Sequence, residues 1–241
     1  MASGEMSRGV FTHFLTRFLQ CSTAVVHPGA IQFVFMDWRH MGEVLQAGEA
    51  SQLELKNLCV WNKGSGAMGS FYRSQHELVF VFKEPNGAHL NNVQLGKWGR
   101  NRTNVWDHPG ATSLREELKL HATPKPVSLI AEAIRDCSKR GDIVLDAFSG
   151  SGTTIIAAAK TGRRAYVIEL DPKFVDVAVR RWEEWSGQVA HHADTELTFA
   201  EMAKVRTEQG MVGENPLGVP SPAPRPEAAS PVRVRQRARA A

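Results

Sequence analysis

Apolar residues recur at helical spacing over 9–24, where Val10, Phe11, Phe14, Leu15, Phe18 and Leu19 make one stripe. The run IQFVFMD (31–37) is β-rich and short, so it predicts a buried strand. HMGEVLQAGEA (40–50) predicts a short helix. LELKNLCVWNK (53–63) alternates as a strand and HELVFVFKE (76–84) predicts another, with the glycine-rich GSGAMGS (64–70) between them. From Pro85 to about Leu120 periodicity disappears. An ordered loop of that length is uncommon, and such stretches are usually functional or disordered.

Regular patterning resumes at Pro126. An amphipathic helix over 127–138 precedes an apolar strand, IVLDAF (143–148), that contains an acid. A helix over 153–162 closes on Gly162, followed by a strand over 164–170 and a helix over 174–187. Strand–helix–strand alternation of this kind predicts an α/β fold built on a doubly wound, mostly parallel sheet. Past Gly187 the pattern fades, and residues 188–241 read as a disordered basic tail rich in Pro, Ala and Arg.

Composition changes this picture little. Apolar content of 42% and charged content of 22% are those of a globular chain. No apolar run reaches the length of a membrane span, and the N-terminus lacks the layout of a signal peptide. The net charge of +4 comes from the tail, where five arginines follow Val219 against the single acid Glu227. Basicity is therefore no argument for a nucleic-acid surface on the folded part. Cys21, Cys59 and Cys137 are widely spaced and form no CxxC pair, which predicts reduced thiols, a cytoplasmic chain and no metal site.

The chemistry concentrates in GDIVLDAFSGSGTTIIAAAKTGRRAYVIELDP (141–172). Gly150 and Gly152 follow a strand directly, and Thr153 and Thr154 open the next helix, whose first N–H groups are free to bind. Ile155 stands where the dinucleotide fingerprint has its third glycine, so a pyrophosphate fits poorly and a nicotinamide-dependent oxidoreductase is disfavoured. No P-loop is present. Glu169, at the end of the second strand, is placed to accept the hydroxyls of a free ribose. An adenosine ligand without a phosphate requirement satisfies these terms, and S-adenosylmethionine is one.

At this point a resemblance is apparent. LDAFSGSGTT is similar to the Asp-Pro-Phe-x-Gly-Ser-Gly-Thr-Thr signature of amino-group DNA methyltransferases, which methylate N6 of adenine or N4 of cytosine. HATPKP (121–126) resembles their His-Pro-Thr-x-Lys-Pro element, in the order of the permuted class whose catalytic half comes first. The stretches KNLCVWNKGSGAMGSFYRSQHELVFVFK and NNVQLGKWGRNRTNVW resemble methylases that also occur fused to ParB-like domains. The resemblance covers roughly residues 1–187. It implies a Rossmann-like methyltransferase domain with a loop-rich recognition insert at 85–120 and a cofactor-binding part over 121–187. It further implies that Asp146, Phe148, Gly150, Ser151, Gly152 and Thr153 line S-adenosylmethionine, that Glu169 takes its ribose, and that Thr123, Lys125 and Pro126 border its methionine end. Ala147 and Ala122 each stand where the family has proline.

The insert would meet double-stranded DNA. Lys97, Arg100 and Arg102 suit phosphates, Asn91, Asn92, Asn101 or Asn104 suits a base edge, and Trp98 and Trp106 suit stacking on unpaired bases. Asp37, Trp38 and Arg39 would border the base pocket. The family's catalytic Asp-Pro-Pro-Tyr-type tetrapeptide is absent: DHPG (107–110), LDPK (170–173) and ENPL (214–217) each carry one proline. In the family that tetrapeptide lies shortly upstream of a segment like MASGEMS, so the chain reads as N-terminally truncated. The expectation is a methyltransferase without turnover, with a non-catalytic cofactor- or DNA-binding remnant as the alternative.

Overall fold

The computed structural model describes residues 6–67, 69, 71–110, 125–208 and 233–234. Helix α1 (Arg8–Thr23) starts at Ser7, whose hydroxyl accepts from the Val10 amide. It is followed by β1 (Ile31–Met36), α2 (Met41–Ala50), β2 (Glu54–Asn62), β3 (His76–Lys83) and β4 (Val105–Asp107). The four strands form one sheet in the order β1-β3-β2-β4. β3 runs antiparallel to β1 and β2, while β4 pairs parallel with β2 through Val60–Val105, Trp61–Trp106 and Asn62–Asp107.

β3 is covered on both faces, which is why its sequence is apolar without alternation. Leu78, Phe80 and Phe82 face α1 and α2, packing on Leu15, Leu19, Val44 and Ala47. Val79 faces the other way, toward Trp61, Trp106, Leu129 and Ala133. α2 approaches closely at Gly48, where an added Cβ would lie 2.4 Å from Cε1 of Phe82.

The second half contributes α3 (Val127–Cys137), β5 (Ile143–Asp146), α4 (Thr153–Thr161), β6 (Arg164–Val167) and α5 (Pro172–Ser186), then β7 (His191–His192), α6 (Phe199–Glu208) and β8 (Arg233–Val234). β5 and β6 pair in parallel, as the βαβ pattern requires. Asp171 caps α5 by accepting from the Lys173 amide at 2.9 Å, and Pro172 occupies its first turn.

α3 ties the halves together. Leu129 and Ala133 pack on the four-stranded sheet, with Phe33 and Phe35 alongside. Ala131 and Ile134 pack on Ala157 and Ala158, beside Val144 and Ala165. Burial of Leu129, fully enclosed, is worth roughly 1.5–3 kcal/mol.

The α/β architecture with a parallel βαβ unit is the one expected, and three details differ. The short connection at 63–75 makes β2 and β3 an antiparallel hairpin, so the larger sheet is mixed. β5 and β6 stop at Asp146 and Val167, short of the expected ends: β5 turns into the glycine loop, and past β6 the Leu170 and Asp171 amides fold back onto the Glu169 side chain. The stretch from 188, expected to be irregular, carries β7 and α6, and the expected loop from Pro85 carries β4. Apart from β8, the rest of the expected tail lies outside the described residues.

Candidate functional site

The glycine turn follows β5 and is held by two carboxylates. Asp146 Oδ1 accepts from the Phe148 amide at 3.0 Å, and Oδ2 accepts from the Thr154 hydroxyl at 2.6 Å. Gly150 (φ +53°) and Gly152 (φ +79°) adopt the left-handed region that side chains resist. Glu169 Oε2 accepts from the Gly150 amide at 2.7 Å, while Oε1 takes the Leu170 and Asp171 amides at 2.9 and 3.0 Å. An ionised carboxylate offers about four acceptor sites. Glu169 therefore retains room for about one more donor, and a second ligand hydroxyl must displace a backbone N–H.

The remaining expected cofactor residues converge on this turn. Thr153, almost fully buried, donates its hydroxyl to the Lys125 carbonyl at 3.2 Å. The Lys125 ammonium lies 5.0 Å from the centre of the Phe35 ring and 3.8 Å from Glu77 Oε1. Pro126 is buried beside it. The C-terminal ends of β1 and β5 thus meet at Lys125. Phe148 is 56% exposed, with its ring 4.9 Å from Phe18 and 6.2 Å from Phe14 of α1. Ser151 is buried against Arg181 of α5. Thr123 lies outside the described residues. Ser149, next in the turn, buries a hydroxyl with no partner among the described residues.

The expected DNA-contacting residues lie at the other end of the fold. Asn92 pins the loop to the C-terminal end of α3, its side chain donating to the Arg135 and Ser138 carbonyls at 2.7 and 2.8 Å. That end leads into the start of β5, away from the glycine turn. Arg102 is engaged inside the fold: Nη1 meets Glu132 Oε2 at 2.7 Å and Nε meets Asp136 Oδ2 at 2.8 Å, with its guanidinium over Trp106. Asn104 donates to the Leu58 carbonyl at 3.1 Å. Lys97, Trp98 and Arg100 do reach solvent; Trp98 is 82% exposed with both cations against its ring.

This ion cluster shifts its acids in opposite directions. Burial pushes the Asp136 carboxyl up, outweighing Arg102. Burial also acts on Glu132, but the Arg102 hydrogen bond and charge prevail and hold it below the usual carboxylate range. An open cavity of about 590 Å³ runs between the loop and α3, lined by Arg100, Trp106, His108 and these two acids. Among the described residues no group of three or more His, Cys, Asp or Glu could hold a metal ion, and no helix is long and apolar enough to cross a membrane.

The rim shared with the glycine turn carries residues that the sequence pattern left as a connector. The loop joining β2 to β3 holds Phe71 and Tyr72, 84% and 82% exposed, in an edge-to-face pair with centroids 4.4 Å apart. Arg73 braces the loop through the Gly66 and Ala67 carbonyls. Lys63 meets Glu77 at 2.8 Å, so Lys63 and Lys125 share one carboxylate. Trp38 and Arg39 sit past the end of β1, with Arg39 on Asp37 at 2.8 Å. The available signal was two adjacent aromatics followed by arginine in an otherwise glycine-rich stretch.

Comparison with known proteins gives a consistent result. The profile described as DNA methylase matches residues 3–180. The type II methyltransferase M.ScaI of Streptomyces caespitosus is 31% identical over 148 residues, covering 52% of this chain and 49% of its own length. The DNA adenine methyltransferase YhdJ of Escherichia coli is 39% identical over 103 residues, covering 43% of this chain and 32% of its own length. The chain thus spans half or less of either relative. Among solved structures, that of M1.HpyAVI with SAM superposes with a TM-score of 0.61 at 21% identity, covering 70% of this chain and 82% of the other.

Proposed function

The chain belongs to the DNA methylase family, whose profile takes in well over half of it, and from that premise we propose that it binds S-adenosylmethionine at the Asp146–Thr154 turn for methylation of an exocyclic amine of adenine or cytosine in DNA. The observation that carries this reading is the turn itself. Two carboxylates, Asp146 at the end of β5 and Glu169 just past β6, hold a loop whose glycines bring backbone close to any ligand there. The residues fit the cofactor's demands: Glu169 keeps an acceptor site for a ribose hydroxyl, and Ser149 has a buried hydroxyl with no partner among the described residues.

When bound, S-adenosylmethionine supplies an electrophilic methyl group on a sulfonium. The work left to this chain is to orient the cofactor and to receive a base. Phe71 and Tyr72 offer stacking faces on the rim, and Lys63 and Arg73 belong to the same connection and suit the sugar–phosphate backbone. Lys97, Trp98 and Arg100, at the far end, suit flanking duplex rather than the target base.

A second reading rests on a specific observation: no Asp-Pro-Pro-Tyr-type tetrapeptide occurs in the sequence. The amine of a base is a weak nucleophile and needs acceptors for its hydrogens beside the methyl donor. The chain is therefore expected to bind the cofactor without turning it over. Calorimetry with S-adenosylmethionine, paired with radiolabelled methyl transfer to unmethylated double-stranded DNA, tests both readings. Binding with no transfer supports the non-catalytic reading, and transfer overturns it. No binding at millimolar cofactor overturns the assignment of the turn.

A further inference from the structure

We infer that Arg181 of α5 is a positioning residue for the glycine turn, fixing the peptide that a cofactor must approach; this rests on the cofactor reading of that turn. Arg181 is only 8% exposed. Its Nη1 donates to the Ser151 carbonyl at 2.6 Å and to the Ser151 hydroxyl at 2.7 Å. Charge-assisted bonds of this length are among the stronger ones available to a carbonyl.

The position of that carbonyl decides more than one bond. In a trans peptide the C=O and the following N–H point in opposite directions. Holding Ser151 O toward α5 therefore turns the Gly152 amide away from it, onto the Ser149 carbonyl at 3.0 Å. The same helix supplies a second contact three residues earlier. Ala178 stands directly behind Gly152, so close that an added Cβ there would lie 2.7 Å from the Ala178 methyl. Ala178 and Arg181 lie on one face of α5. The turn is thus clamped between α5 behind, with a steric stop and a donor, and Asp146 and Glu169 in front.

Without the guanidinium, the Ser151–Gly152 peptide keeps its bond to Ser149 but loses the group that sets its plane. Gly152, at one end of that peptide, has positive φ and is glycine, so its own backbone adds little restraint. A turn that must be ordered on binding lowers affinity by the cost of ordering it. Nothing in the amino-acid sequence marks Arg181, which sits in an arginine pair near tryptophan on a helix with many charges.

The test uses the full chain, its Arg181→Met, Arg181→Lys and Arg180→Met variants, calorimetry with S-adenosylmethionine, and hydrogen exchange of the ligand-free proteins. Arg181→Met is expected to bind about 10-fold more weakly or worse, roughly 1.4 kcal/mol per factor of ten. Exchange should quicken over 147–154 while the strands stay protected. Arg181→Lys, which keeps a donor, is expected to restore part of both. Arg180→Met, which removes the neighbouring guanidinium that lies over the Phe199 ring, should bind within about 3-fold of the wild type. Wild-type affinity and wild-type exchange in Arg181→Met overturn the inference. If the wild type fails to bind, the cofactor reading falls, while the exchange arm still decides whether Arg181 holds the turn. Should Arg181→Met not fold, Arg181→Lys is read alone against the wild type. Weakened binding there supports the inference, and unchanged binding with unchanged exchange overturns it.

Discussion

Replacing Gly152 with alanine separates two costs that are usually confounded. Gly152 has φ +79°, and an alanine held in that region costs about 1–2 kcal/mol from backbone strain alone. Its Cβ would also stand 2.7 Å from the Ala178 Cβ and 3.0 Å from the Ala178 Cα. Overpacking of that kind typically adds about 1–3 kcal/mol. Gly152→Ala is therefore expected to destabilise by about 2–5 kcal/mol. Gly141 supplies the control within the same chain. It has φ +86°, but an added Cβ meets nothing within 4 Å, so Gly141→Ala should show the strain cost only. Urea unfolding of both variants, with the slope checked for constancy, measures the difference. The double variant Gly152→Ala/Ala178→Gly should recover part of the clash, giving a favourable coupling of roughly 1–2 kcal/mol despite a glycine inside α5. If Gly152→Ala costs no more than Gly141→Ala, α5 does not back the turn as described.

Glu169→Gln keeps the side-chain shape but replaces one acceptor oxygen by a donor, facing the Gly150 amide or the Leu170 and Asp171 amides. A stability loss of about 1–3 kcal/mol is expected in urea unfolding, together with at least about 10-fold weaker cofactor binding by calorimetry. Unchanged binding would remove Glu169 from the ligand site. Burial pushes the Cys59 thiol up to about 11 and the Cys137 thiol up to about 12, whereas Cys21 is exposed. An aromatic disulfide reagent at pH 8 should titrate one thiol rapidly in the native protein and three in denaturant; rapid reaction of a second native thiol would contradict the burial of these two. Asp136 has its carboxyl raised by burial, so its contribution to stability is fullest below the unfolded value of about 3.9 and is lost as pH rises through the native value. The stability of the wild type minus that of Asp136→Asn should therefore fall as pH rises from about 3.5, then level off. A difference that grows with pH would mean that Arg102 outweighs burial at this site.

Local patterns were the legible part of this fold. The stripe on α1, the continuous apolar run of β3 and the βαβ unit at 143–167 each follow from spacing that neighbours along the chain impose. Partners distant in sequence were not legible. Arg102 reads as a phosphate ligand when its neighbours are Gly, Asn and Trp, yet its charge is met by Glu132 and Asp136 from a helix 30 residues on. Asn92 reads as a candidate for a base edge, yet it caps the end of that helix. β4 is three residues long and gains its identity only from pairing with β2. Phe71 and Tyr72 were visible as letters, but their exposure depends on the hairpin that lifts them from both sheet faces.

The acid at the end of each strand shows where sequence and structure say different things about one residue. Spacing alone assigns Glu169 to a ligand hydroxyl, because a carboxylate at that point has no other evident duty. The fold gives it one: three backbone amides from two segments end on its oxygens. Asp146 is likewise occupied by Phe148 and Thr154. Both acids build the turn before any ligand arrives. That does not compete with ligand binding so much as couple it to folding. A ligand that takes the remaining acceptor site of Glu169 meets a loop already ordered, and ordering paid in advance is affinity gained. The same coupling explains why a buried arginine on the far side of the turn matters to the site. It bonds to the Ser151 carbonyl and hydroxyl and so fixes the peptide that leads into Gly152, whose φ is positive.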